Sequence, residues 1–223
     1  EAATRLVFVN GVYAPELSAS AGLPDGVVAG SLAAAINTDA GVIQPHLARH
    51  AAFEDEVFTA LNTTRLHDGA FVWIARNRKC PTPVQLLFVS TQVESAAYPR
   101  CLVIAEAGAD CTLIEDYVGL GDAVYFNNAV TEIVVGEGAS VRHVKVQRET
   151  GGAFHIAHCA AVLAREASYA SHTVTLGARI SRFNLNVVQQ GEGAKVKLDG
   201  LALIAGRQLA DSHTLMDHAR ANG

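Results

Sequence analysis

Four short segments of the chain share one alternation. Ala109-Asp110-Cys111-Thr112-Leu113, Ala139-Ser140-Val141-Arg142-His143, Ala167-Ser168-Tyr169-Ala170-Ser171 and Ala194-Lys195-Val196-Lys197-Leu198 start 30, 28 and 27 residues apart. Each follows a turn element: Glu106-Ala107-Gly108, Gly136-Glu137-Gly138, Arg165-Glu166 and Gly191-Glu192-Gly193. Side chains alternate between faces in an extended chain, so Ala139, Val141 and His143 share one face and Ser140 and Arg142 the other. A unit of this size cannot bury its own apolar face, and the repeat therefore predicts stacking into a solenoid. Further apolar pairs follow (Val144 and Val146, Val174 and Leu176, Leu201 and Leu203), and these predict two flattened coils of about 14 residues in each period of about 28. The architecture expected is mainly β, a parallel β-helix. A hexapeptide β-helix would need an apolar beat of six that the chain does not keep, and a β-sandwich does not predict the repeated Gly-Glu-Gly-Ala.

The N-terminal part reads differently. Leu6-Val7-Phe8-Val9 and Val12-Tyr13 flank Asn10-Gly11, a pair that tolerates the positive φ of a tight hairpin. From Pro24 to about Thr64 the apolar spacing becomes helical, with Leu32, Ala35 and Ile36 in one run and Phe53, Val57, Phe58 and Leu61 in another. Asp55 and Glu56 suit a helix N-terminus there. Phe71-Val72-Trp73-Ile74-Ala75 and Val84-Gln85-Leu86-Leu87-Phe88-Val89 read as strands, separated by the solvated basic turn Arg76-Asn77-Arg78-Lys79. The expected organisation is a hairpin and helical region over 1–67, a strand-rich connection over 68–98 and the β-helix over 99–223, incomplete at its C-terminal end.

Composition narrows the function classes. The 223 residues are 50% apolar and 17% charged with a formal net charge of −5, which gives no general attraction to nucleic acid or to an anionic membrane. Aromatics make up 6%, as a narrow stack of Val, Ile, Leu and Ala would require. No apolar run reaches the roughly 18 residues of a membrane span. The start has no signal-peptide pattern, and it is not a Met. Cys80, Cys101, Cys111 and Cys159 form no CxxC pair and no zinc-finger spacing, so free thiols in a reducing compartment are expected.

Several polar groups invite a chemical reading. In Asp211-Ser212-His213-Thr214-Leu215-Met216-Asp217-His218, strand geometry puts Asp211, His213 and Asp217 on one face and His218 on the other, so the two histidines cannot chelate one metal from a regular strand. A carbohydrate-active β-helix enzyme would have Asp211, His213 and Asp217 as its candidates. His155 and Cys159 share a strand face and His158 takes the other; Glu115 and Asp116 point opposite ways, which is poor geometry for shared acid/base work. Gly119-Leu120-Gly121 leads into a strand signal, whereas a phosphate-binding turn opens a helix. There is no GxxxxGK[ST].

Taken in order, a set of short strings resembles the SufB/SufD family of iron–sulfur cluster assembly proteins, on the SufD side. They include Leu61-Asn62, Asp68-Gly69-Ala70-Phe71-Val72, Pro83-Val84-Gln85-Leu86, Pro99-Arg100-Cys101-Leu102, Leu113-Ile114-Glu115-Asp116-Tyr117, Asn128-Ala129-Val130-Thr131-Glu132, His143-Val144-Lys145-Val146-Gln147, Gly177-Ala178-Arg179-Ile180-Ser181-Arg182 and the closing Asp211-Ser212-His213-Thr214 with Asp217-His218. The resemblance implies a right-handed parallel β-helix behind an N-terminal helical region. It implies a non-catalytic scaffold subunit that joins SufB-like and SufC-like ATPase partners, takes part in iron acquisition, and handles iron or a nascent cluster transiently in the parent complex. Family members continue beyond the Asp-x-His-Thr region, so the chain is expected to be a fragment without the family's functional histidine and ATPase-docking helices. No catalytic, cofactor-binding or metal-ligating residue is carried over. An inert structural fragment, self-associating as a dimer through an open coil end, is the remaining expectation. The compartment implied is bacterial cytoplasm or plastid stroma.

Overall fold

The computed structural model describes residues 4–20, 22–54 and 56–220. The chain opens with β1 (Thr4–Val9) and β2 (Val12–Tyr13), the expected hairpin, turned by Asn10 and Gly11 at φ of 50° and 84°. Then come β3 (Val27–Ser31), α1 (Leu32–Thr38), α2 (Ala40–Ile43), α3 (Val57–Thr64), β4 (Ala70–Ile74), β5 (Val84–Ser90), β6 (Ser95–Ala97) and β7 (Arg100–Ala105). The repeats follow as β8 (Asp110–Gly119), β9 (Tyr125–Val135), β10 (Ser140–Arg148), β11 (Phe154–Leu163), β12 (Ser168–Thr175), β13 (Ile180–Gln189), β14 (Lys195–Ala202) and β15 (Leu209–His218).

Two sheets face each other in a β-solenoid of about five turns. One runs β14-β12-β10-β8-β5-β1-β2 and the other β15-β13-β11-β9-β7-β4-β3. The four repeated segments start β8, β10, β12 and β14, paired in parallel with Asp110, Ser140, Ser168 and Lys195 in one register row. The alanine before each of these is buried. The turn residue ahead of it takes positive φ: Gly108 at 70°, Gly138 at 62°, Glu166 at 55° and Gly193 at 69°. Arg165-Glu166 thus bends like the glycine turns, with a glutamate in the left-handed region.

Three expectations need correction. One period is a single coil that contributes one strand to each sheet, not two coils of half that length. Val144 and Val146 belong to β10 itself and lie half-buried on its outer face, while His143, Lys145 and Gln147 fill the inner one. The segment from Pro24 to Thr64 does carry the short helices expected there, α1, α2 and α3, but it opens with Val27–Ser31 as a strand paired antiparallel with β4, where sheet pairing overrides the local pattern. Phe53 is exposed and lies outside α3; Asp55 lies outside the described residues. Finally, rings are not excluded from the interior: Phe8, Phe88 and Tyr117 stack across β1, β5 and β8 with centroids 4.9 and 4.7 Å apart.

The N-terminal helices sit against the outer face of the second sheet. Leu32, Ala35 and Ile43 pack on Phe71, Leu102 and Ile104. Buried Asp68 accepts from Ser31 Oγ (2.8 Å), the N–H of Ala33 (3.2 Å) and Gly69 (2.8 Å), and the N–H of Tyr13 (3.0 Å), joining hairpin, helix and sheet. Asn62 of α3 donates to the carbonyls of Pro99 and Asn128.

Candidate functional site

At the β1 end the interior is apolar, with Leu6, Ile74, Leu86 and Val103. Between β8 and β12 it turns polar. The inward positions of β8 run Cys111, Leu113, Glu115, Tyr117, and those of β10 run Val141, His143, Lys145, Gln147. Facing them across the interior are Asn127 and Thr131 of β9 and His155 and Cys159 of β11.

Glu115 is the hub. Its carboxylate accepts from Thr131 Oγ1 at 2.7 Å and Tyr117 OH at 3.0 Å, and His143 Nε2 lies 3.2 Å away. The His143 ring nitrogen is not aimed along a hydrogen bond, so the contact with Glu115 is one of charge. Burial alone would raise Glu115, yet the neighbouring imidazolium, backed by Lys145 and Thr131, brings its carboxyl down to about 2. Burial likewise works against a charged His143, and Glu115 overrides it, holding the imidazole up to about 10. The pair is therefore ionised at neutral pH. From His143 the chain of contacts continues to Tyr169 OH at 3.0 Å and from there to Cys159 Sγ at 3.8 Å.

A second centre surrounds Glu149, which accepts from Gln147 Nε2 at 3.0 Å and from Asn127 Nδ2. His155 Nδ1 is 2.7 Å from the same carboxylate, again off the hydrogen-bond line. Burial opposes ionisation of Glu149, but His155 and the two amides hold it below the usual carboxylate range. Lys145 joins the two centres: its Nζ lies 2.9 Å from His155 Nε2 and 3.8 Å above the ring of Tyr117. Burial lowers the Lys145 amine against the pull of Glu115 and Glu149, and burial together with Lys145 lowers His155. A neutral His155 can accept from Lys145 at Nε2 while its Nδ1 proton faces Glu149.

This arrangement places two carboxylates, two imidazoles, an amine and a thiol in one buried, contiguous lattice. It can hold separated charges, with the Tyr169 and Cys159 contacts extending from the Glu115–His143 pair. The other thiols are inert by environment, since burial pushes Cys80 and Cys101 up and raises Cys111 to about 12. All four cysteines are free and buried. Among the described residues, no group of three or more His, Cys, Asp or Glu is placed to hold a metal.

The sequence candidates land in different places. Glu115 and Asp116 do point oppositely, but Glu115 works with His143, and Asp116 is bound outside by Arg148 at 2.8 and 2.9 Å. His155 and Cys159 share the inner face, yet His155 serves Glu149 and Lys145 while Cys159 meets Tyr169. His158 lies outside under α3, 2.8 Å from Thr59 Oγ1. Asp211 and His213 pair on the exposed face of β15 at 2.9 Å. The Gly119-Leu120-Gly121 segment is a turn between strands. Lys145 carries a signal in the sequence as well: continuing the Val141 phase puts His143, Lys145 and Gln147 inside.

A second buried device ties the helical region down. Arg100 Nη2 lies 2.7 Å from Glu132 Oε2, with both side chains fully buried. The Glu132 carboxylate also accepts four consecutive backbone N–H groups, from Ala48 (2.8 Å), Arg49 (3.0 Å), His50 (2.8 Å) and Ala51 (3.1 Å). Arg100 Nη1 reaches Asn62 Oδ1 at 3.3 Å and Thr63 Oγ1 at 3.2 Å on α3.

The comparisons with known proteins cover nearly the whole chain. Residues 88–223 match the family model described as SUF system FeS cluster assembly, SufBD core domain, and residues 2–86 match the SufBD protein N-terminal region. An iron–sulfur cluster assembly SufBD family protein of Synechocystis is 36% identical over 95% of this chain and 49% of its own length. The iron–sulfur cluster assembly protein SufD of Escherichia coli is 29% identical over 96% of this chain and 49% of its own length. A chloroplastic SufBD family protein of Arabidopsis thaliana is 28% identical over 88% of this chain and 37% of its own length. The chain thus spans about half the length, or less, of these curated relatives. Matched by both family models over nearly all of its length, the chain belongs to the SufBD family of iron–sulfur cluster assembly proteins.

Proposed function

We propose that the chain belongs to a SufD-like, non-catalytic scaffold subunit in a SufBCD-type complex. In this reading it supports iron acquisition and nascent cluster formation with a SufB-like partner and a SufC-like ATPase. The observation that carries the reading is the end-to-end match to the two SufBD family models, together with the likeness to SufD of Escherichia coli. Burial of Cys80, Cys101 and Cys111 favours a supporting role, since thiols raised by desolvation are poor cluster ligands. In this reading the cluster is cargo of the complex rather than a resident cofactor of the chain. In this reading the working compartment is bacterial cytoplasm or plastid stroma, supported by relatives in Escherichia coli and in chloroplasts. No helix among the described residues is long and apolar enough to cross a membrane.

The test is co-expression of the full-length parent with its SufB-like and SufC-like counterparts. A complex containing all three is expected to survive size-exclusion chromatography. A parent that elutes alone in every combination would overturn the reading.

A further inference from the structure

The loop gripped by Glu132 carries two histidines that the polar lattice does not use. His46 Nδ1 and His50 Nε2 face each other at 3.2 Å, with rings tilted 29° and centroids 5.5 Å apart. Both side chains are half-buried, and His46 lines an open cleft on the outer face of the second sheet beside Pro45 and Glu106. The spacing i, i+4 brings the rings onto one side of a turn, where Leu47 N–H bonds Ile43 O at 2.9 Å and Arg49 N–H bonds His46 O at 3.2 Å.

The separation matches the bite of a metal ion. Zinc–imidazole bonds are about 2.0–2.1 Å long, so two of them at a tetrahedral angle place their nitrogens about 3.3 Å apart, and at a right angle about 2.9 Å. The observed 3.2 Å lies between these values. The pair is also held in place before any ligand arrives. Backbone N–H groups of residues 48–51 all point into the Glu132 carboxylate, and Ala48 is fixed at φ 56°. Glu132 is itself locked by Arg100, both side chains being fully buried. Little ordering entropy remains to be lost on binding.

We propose that His46 and His50 form a chelating site for a first-row divalent transition-metal ion, with His46 Nδ1 and His50 Nε2 as protein ligands and water completing the shell. In the metal-free form a single N–H lies between the two nitrogens. When the ion binds, that proton moves to the distal nitrogen of the same ring, so both proximal nitrogens present lone pairs and no net proton need leave. Two neutral imidazoles select borderline ions such as Zn²⁺, Co²⁺, Ni²⁺ and Cu²⁺ over the hard ions Mg²⁺ and Ca²⁺. The inference is independent of any role in cluster assembly.

The experiment is calorimetric titration of the purified chain with Zn²⁺ in a non-chelating buffer, with ¹⁵N imidazole spectra recorded alongside. One ion is expected to bind per chain with micromolar affinity, shifting His46 Nδ1 and His50 Nε2 while His143 and His155 stay unmoved. His46→Ala and His50→Asn, checked for unchanged far-UV circular dichroism, should each weaken binding by more than ~10-fold. His213→Ala should leave it unchanged, and Mg²⁺ should give no heat. No binding, or binding that survives both histidine substitutions, would overturn the proposal. The imidazole spectra of the unmodified chain decide the matter should a variant fail to fold.

Discussion

Lys145 Nζ lies 2.9 Å from His155 Nε2 inside the solenoid, an amine and an imidazole from opposite sheets meeting where a coil would ordinarily hold aliphatic side chains. Removing only the amine strands its partner. Lys145→Met should cost about 1–3 kcal/mol through an unsatisfied imidazole nitrogen. The double change Lys145→Met with His155→Phe should recover part of that loss in urea unfolding, because an apolar pair leaves nothing orphaned on that side. Additive losses would contradict the direct contact.

The Glu115–His143 pair sets a pH dependence. Glu115 is depressed to about 2, so its contribution is complete above the ordinary carboxylate value of 4.5 and fades as pH falls towards 2. His143 is raised to about 10, so its contribution is complete below 6.5 and fades as pH climbs through 10. His155, lowered by burial and Lys145, acts in the opposite sense: it stabilises above 6.5 and loses that effect as pH falls through its lowered value. Comparison with His143→Gln isolates the pair. The stability gap between the unmodified chain and this variant should narrow steadily from pH 6.5 to 10, and a constant gap would show that His143 is not held charged.

Glu132 couples the helical region to the solenoid through one carboxylate. Glu132→Gln leaves Arg100 buried without a counter-charge and turns an amide donor towards backbone donors, at a cost of about 3–5 kcal/mol. Hydrogen exchange should show residues 48–51 losing protection by more than ~10-fold. Protection equal to that of the unmodified chain would mean the carboxylate does not hold the loop.

Thiol chemistry provides a check on the interior. All four cysteines are buried, so a thiol reagent at pH 8 should label none in the folded chain and four after denaturation. Rapid labelling of Cys101 or Cys159 would show that the core opens.

The repeat of Ala109, Ala139, Ala167 and Ala194 made the coil register readable, because a corner that admits only a small buried residue recurs once per turn. Valine positions are a poorer guide, because not all valines point inward. In β10 the apolar and polar positions exchange faces after Val141, so Val144 and Val146 looked like a new coil although they are the outside of the same strand. The sites followed the same pattern. Strand phase separated Glu115 from Asp116 and His155 from His158 correctly, but it could not show which side chains meet across 10 to 26 residues of chain, as Lys145 meets His155 and His143 meets Tyr169. The Glu132 clamp lies further still from local pattern, since its four donors come from backbone 81 to 84 residues away.

Cluster formation on the reconstituted complex tests the scaffold reading most directly. The full-length parent, its SufB-like and SufC-like partners, iron and a sulfide source should together give the absorption and circular dichroism of an iron–sulfur cluster, and omission of the parent should abolish it. The parent alone, given the same iron and sulfide, should hold no stoichiometric cluster. Undiminished cluster formation without the parent, or a stable cluster on the parent by itself, would contradict the account.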